Sequence, residues 1–242
     1  MTKKFTLIAL TFAVLGIFSC TQEDKFNVSI EGKIDGIRKG KIYLQRIQDS
    51  TLVSIDSAFF EGNENFRLKT NVEEPEMMLL VLQKHGSEDY TDYLTLFVEQ
   101  GEYSINSGLS NFQLAEIETQ NPNQKKWKEY NAMIAKFNNQ QLDLIADQMR
   151  VDEDEREIIQ NRLESLNKRR YFYTINFALS NKELSISPYV IITEAFDANI
   201  KYLDSVYNSL PADVANSLYG VQMKDLLDER KSEEIEVEED LL

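Results

Sequence analysis

From Phe26 onward, apolar and polar positions alternate with the period of half-buried strands. Phe26, Val28 and Ile30 alternate with Asn27, Ser29 and Glu31, and the stretch Gly32-Lys33-Ile34-Asp35-Gly36 reads as the turn that ends this strand. Residues 40–44 start a second strand, and Val53, Ile55, Ser57 and Phe59 mark a third. Glu61-Gly62-Asn63 is a turn signal before the extended pattern resumes at Phe66-Arg67-Leu68. Residues 77–82, behind Pro75, form a continuous apolar run, the pattern of a central strand buried on both faces. Residues 93–98 are another strand, Gln100-Gly101 turns it into residues 103–106, and residues 112–117 are a candidate last strand. Seven or eight short strands at this spacing predict an antiparallel β-sandwich or a strongly curled sheet over residues 26–120.

The period changes near Asn121-Pro122. Trp127, Tyr130, Ile134 and Phe137 share one face of a helix. Asn138-Asn139-Gln140-Gln141 interrupts that face, and Leu142, Ile145 and Met149 resume it. Asp152-Glu153-Asp154-Glu155 suits the start of a second helix, whose positive dipole end favours carboxylates. Ile159, Leu163, Leu166, Tyr173 and Phe177 give its apolar face. Ser187-Pro188 predicts the start of a third helix, with Ser as cap and Pro in the first turn. Residues 189–196 are nearly all apolar, which places them at the centre of the helical part, and Pro211 opens a last helix with Val214, Leu218, Val221 and Leu226. Residues 233–240 hold six acids, so residues 232–242 read as a frayed, disordered acidic tail. The fold class is therefore α+β, with a β-rich lobe over 26–120 and a helical lobe over 121–231.

The first residues follow neither pattern. Lys3 and Lys4 precede an uncharged stretch of 14 residues, 5–18, and then Ser19-Cys20. About 20 apolar residues are needed to span a bilayer, so this is the layout of a secretory signal rather than a permanent span. Leu15-Gly16-Ile17-Phe18-Ser19-Cys20 resembles a bacterial lipobox, in which the Cys after the cut is lipidated. The expected division is a lipoprotein signal peptide at 1–19, a lipid-bearing Cys20, and a polar linker at 20–25. The place is the bacterial envelope, most naturally the outer membrane facing the periplasm, with the cell surface as an alternative.

Charge and cysteine count narrow the chemistry. Removing Lys3 and Lys4 takes the net charge of the chain from −15 to −17, which disfavours nucleic-acid partners. Cys20 is the only cysteine, so a disulfide within the chain, a Cys-x-x-Cys pair and a thiolate zinc site are ruled out.

Candidate sites each compete with a plainer reading. His85, the single histidine, stands beside Ser87, Glu88 and Asp89, the residue types of a hydrolytic triad. Crowded on one loop they do not converge, and the stretch reads as a solvated hairpin loop. Lys168-Arg169-Arg170 beside Tyr171-Phe172-Tyr173 mimics a nucleic-acid patch but reads as the polar and buried sides of one helix. The acids at 152–155 lack the glycine and ligand spacing of a calcium loop. Trp127, Tyr130 and Phe137 read as core rather than as a ligand groove. No catalytic residue, metal ligand or cofactor is expected, and the chain is read as no enzyme.

Taken in order, Gly32-Lys33-Ile34-Asp35-Gly36, Gly40-Lys41-Ile42-Tyr43-Leu44, Ile55-Asp56-Ser57-Ala58, Phe66, Pro75 and Val98-Glu99-Gln100-Gly101-Glu102-Tyr103 resemble the uncharacterised N-terminal domain of thioredoxin-like lipoproteins, domain of unknown function 4369. Ser187-Pro188-Tyr189, residues 203–210, Pro211 and Leu218-Tyr219-Gly220 are similar in the helical half. The resemblance implies an envelope location and a neighbourhood of thiol chemistry. In such proteins a thioredoxin-like domain with a Cys-x-x-Cys follows, whereas this sequence ends at Leu242 without one. The expected function is a non-catalytic envelope lipoprotein, a binding or assembly module partnered by a thioredoxin-like protein or another lipoprotein. The alternatives are a truncated or split thiol-disulfide oxidoreductase and a glycan-binding surface lipoprotein.

Overall fold

The computed structural model describes residues 25–48, 51–86 and 91–240. The signal, Cys20, most of the linker, and Ser87, Glu88 and Asp89 lie outside the described residues. The chain builds β1 (Val28–Asp35), β2 (Lys39–Gln48), β3 (Thr51–Glu61), β4 (Asn65–Thr70), β5 (Glu76–Lys84), β6 (Thr91–Val98), β7 (Gly101–Gly108) and β8 (Glu116–Thr119). The helices α1 (Pro122–Gln148), α2 (Glu153–Ser180), α3 (Ile186–Glu194), α4 (Ile200–Ser209), α5 (Ala212–Ala215) and α6 (Leu218–Asp240) follow. This is an α+β fold whose strands all precede its helices.

The strands form two four-stranded sheets, one in the order β4-β1-β7-β8 and the other β3-β2-β5-β6. Their inner faces enclose one core, with Ile30, Ile34, Ile42, Leu44, Leu80 and Leu96 fully buried. The sandwich is mixed rather than purely antiparallel, because β1 pairs in parallel with β7. β1 also does not end at Gly32. The glycine sits within the strand because a Cβ there would lie 2.1 Å from the Ile105 carbonyl oxygen and 2.8 Å from the Phe66 ring. Gly36, at φ 88°, makes the turn instead. The candidate last strand divides into a 3₁₀ turn at Phe112–Leu114 and the short β8.

β5 is buried on both faces, as its apolar run predicts. Its outer side, with β6, receives the helices. Met77 and Phe97 belong to a second core with Trp127, Tyr130, Val190, Leu203 and Met223. The Tyr219 hydroxyl accepts from Met77 N at 2.6 Å, and Gln124 Oε1 accepts from Phe97 N at 2.8 Å. Helical side chains thus complete backbone bonds that the sheet leaves open.

Other helical expectations shift by a turn or less. α1 is continuous through Asn138–Gln141, and Leu142 and Met149 beyond it are exposed. Asp152 caps α2 by accepting from Glu155 N. The third helix starts at Ile186, and the Ser187 hydroxyl, fully buried, donates to the Ala178 carbonyl instead of capping. α4 is an additional helix, and the expected last helix is two, α5 and α6. The α6 backbone is helical to Asp240, through most of the stretch read as a disordered tail.

Candidate functional site

The sandwich has two ends. At one lie Asn27, Val72, Glu76 and Val98–Gly101, joined by bonds between Asn27 and Val72 and from Gly101 N to Asn27 O. The helical lobe docks here. Glu99 accepts from the Asn123 backbone and side chain, Asn123 Oδ1 accepts from Ile186 N, and the Tyr103 hydroxyl accepts from Asn121 Nδ2 at 2.6 Å and donates to the Phe97 carbonyl. Burial pushes the Tyr103 hydroxyl up to about 12. The stretch Val98-Glu99-Gln100-Gly101-Glu102-Tyr103 is therefore a satisfied structural junction.

The other end is open. Ile42 and Leu44 point into the core, so Lys41 and Tyr43, one residue out of phase, stand on the outer face of their sheet. Pairing places Phe59 beside Lys41, Val81 beside Tyr43, and Tyr93 beside Val81. The helices cover Met77 and Phe97 on this face, and α1 reaches Thr95 and the rim of Tyr93. Phe59 remains 68% exposed and Tyr93 53%. Tyr93 borders a separate hollow with Trp127 and Lys128 of α1, while an open groove of about 1030 Å³ is lined by Lys41, Tyr43, Phe59 and Gln83.

Its electrostatics run against those of the molecule. Arg38, Lys39, Lys41 and Lys84 line the groove with a single acid, Glu61, in a chain of net charge −15. Lys84 pairs with Asp92 at 2.6 Å, whereas Arg38, Lys39 and Lys41 form no ion pair among the described residues. The Lys41 ammonium lies 4.4 Å from the Tyr43 ring centroid and 4.7 Å from that of Phe59. Both rings hold the cation by cation–π attraction while it stays accessible. The Tyr43 hydroxyl donates to Gln83 Oε1 at 3.1 Å, which turns the Gln83 amide nitrogen toward other acceptors.

His85 lies at the lip of this groove, its backbone N–H bonded to the Lys39 carbonyl. The described residues bring no nucleophile to it. Trp127, Tyr130 and Phe137 pack within the helical core, with Trp127 Nε1 donating to Thr95 Oγ1. Arg170 pairs with Glu194, and Tyr173 packs against Tyr130 and Phe177. Among the described residues no group of three His, Cys, Asp or Glu is placed to hold a metal, and no helix is long and apolar enough to cross a membrane. The groove itself went unread in sequence. Its signal is the pair Phe59-Phe60: adjacent strand residues point to opposite faces, so one ring must leave the core.

The architecture is a two-sheet sandwich with helices packed over one end and an open groove at the other. The family model described as Domain of unknown function (DUF4369) matches residues 28–143, a stretch that spans both sheets and most of α1. No curated protein matches the sequence.

Proposed function

We propose that the chain is a non-catalytic binding module of the bacterial cell envelope, anchored by lipid on Cys20 and taking an anionic ligand on the open half of the β3-β2-β5-β6 sheet. The observation that carries the reading is Lys41, held over the half-buried Tyr43 ring and the exposed Phe59 ring in a basic groove on an acidic molecule. Preorganised cations attract anions by charge, and the acidic remainder of the surface repels them, so binding concentrates at this face. The lipobox-like end of the leader supports the anchor. The domain match supports a thioredoxin-like protein as a partner.

Two measurements test this. The Cys20→Ser chain leaves the membrane fraction for the soluble one; retention in the membrane disproves the lipid anchor. That soluble chain, titrated with citrate and with inorganic phosphate, shows salt-sensitive NMR shifts at Lys41 and Gln83 that Lys41→Glu abolishes. Unchanged binding by Lys41→Glu disproves the site.

A further inference from the structure

We infer that the ligand of this groove is a carboxylate-bearing saccharide chain. This rests on the reading above that the face binds anions, and it assigns the rest of the ligand. Phe59 offers an exposed ring on the sheet surface, and the half-buried Tyr43 ring lies beside it across Lys41. Such rings take up the CH-bearing face of a pyranose. The Gln83 amide, fixed through its oxygen by Tyr43, has its nitrogen left to donate to a ring hydroxyl. Lys41, Lys39 and Arg38 supply the cations that a uronate carboxylate requires. The groove is open to solvent rather than enclosed, which leaves room for a chain longer than the sugar seated in it.

Two other anions fit the geometry less well. An acidic peptide recognised by main-chain pairing needs a sheet edge, whereas this groove lies on a sheet face and offers side-chain groups. An anionic lipid headgroup offers no pyranose face for the Phe59 ring, and the helical lobe stands on the same sheet face as the groove, on its Met77 and Phe97 side.

The test uses the mature Cys20→Ser chain with three probes: an oligogalacturonate, the same oligomer with its carboxylates methyl-esterified, and polyglutamate of equal charge. The oligogalacturonate binds most tightly. Esterification, or Lys41→Glu, weakens it by about tenfold or more, the worth of one charge-assisted contact. Phe59→Ala loosens Lys41 for every anion and also removes the ring surface, so it weakens the saccharide several-fold more than it weakens polyglutamate; circular dichroism of this exposed-site variant verifies its fold. If polyglutamate binds as tightly as the saccharide, or Phe59→Ala affects both alike, the saccharide assignment is overturned and the anion site stands. If no charged probe binds, both fall.

Discussion

Asn123 holds Glu99 by two bonds, its backbone N–H donating to Oε1 at 3.1 Å and its Nδ2 to Oε2 at 3.3 Å. The same side chain turns its oxygen to Ile186 N at 2.9 Å. One residue of α1 thus joins a sheet turn to α3. Asn123→Ala strands a buried backbone donor and half-frees a carboxylate. The expected loss is about 3 kcal/mol, read as a lower urea midpoint.

Arg46 and Glu76 form a two-bond pair, Nε to Oε2 at 2.6 Å and Nη2 to Oε1 at 2.5 Å, with Glu76 only 9% exposed. Arg46→Met leaves that carboxylate without its partner and costs about 2 to 3 kcal/mol. Adding Glu76→Met restores most of the loss, since the desolvated charge goes with it. A double-mutant cycle in urea checks this; additive losses would show that the pair is not coupled.

Burial pushes the Tyr189 hydroxyl up to about 12, with the nearby Glu194 carboxylate adding to it. Tyr103 is raised to about 12, and Tyr130 and Tyr219 are raised as well. Tyrosine is neutral below its pKa and reaches about 10 when unfolded. Their stabilisation is therefore complete below pH 10 and is lost as pH rises toward 12. The Tyr189 hydroxyl makes no hydrogen bond among the described residues, so Tyr189→Phe removes the ionisation and little else. Its urea midpoint should match the parent at pH 8. At pH 11 the variant should be more stable by about 1 kcal/mol.

Gly32 and Gly62 separate two reasons for glycine. A Cβ on Gly32 meets the Ile105 carbonyl oxygen at 2.1 Å, while one on Gly62 meets nothing within 4 Å and is opposed only by φ 85°. Gly62→Ala costs about 1 kcal/mol. Gly32→Ala exceeds the usual 1 to 3 kcal/mol of overpacking, because backbone rather than a flexible side chain must move. Thermal unfolding of the two variants should rank them in that order.

The alternation of residues 26–31 and the apolar run of 77–82 made the sandwich legible, since each pattern states how many faces are covered. Periodicity does not state which strands become neighbours, so the parallel β1–β7 pair was invisible. Gly32 read as a turn because glycine marks both turns and close approach, and a single chain does not distinguish them. Ser187-Pro188 located α3 to within a residue, but the capping role failed because Ser187 found a buried carbonyl at Ala178. The groove is hidden for a different reason. Phe59 falls in the phase Val53, Ile55, Ser57, Phe59, but a bulge splits that phase, and beyond it Phe59 points outward while Phe60 fills the core. Lys41 and His85 lie far apart in sequence, and only the β2–β5 pairing brings them to one groove.

The parallel pairing of β1 with β7 sets an order of assembly. β1 emerges first, yet its partner Gly101–Gly108 lies roughly seventy residues downstream. The hairpins β2–β3 and β5–β6 close from near neighbours, while this sheet waits on a contact with a large loop-closure cost. A nascent or truncated chain that stops short of Gly108 keeps β1 with an unpaired backbone edge and a bare apolar face. Such fragments should be aggregation-prone, and protection of β1 amides in pulsed hydrogen exchange should lag that of β2 and β5.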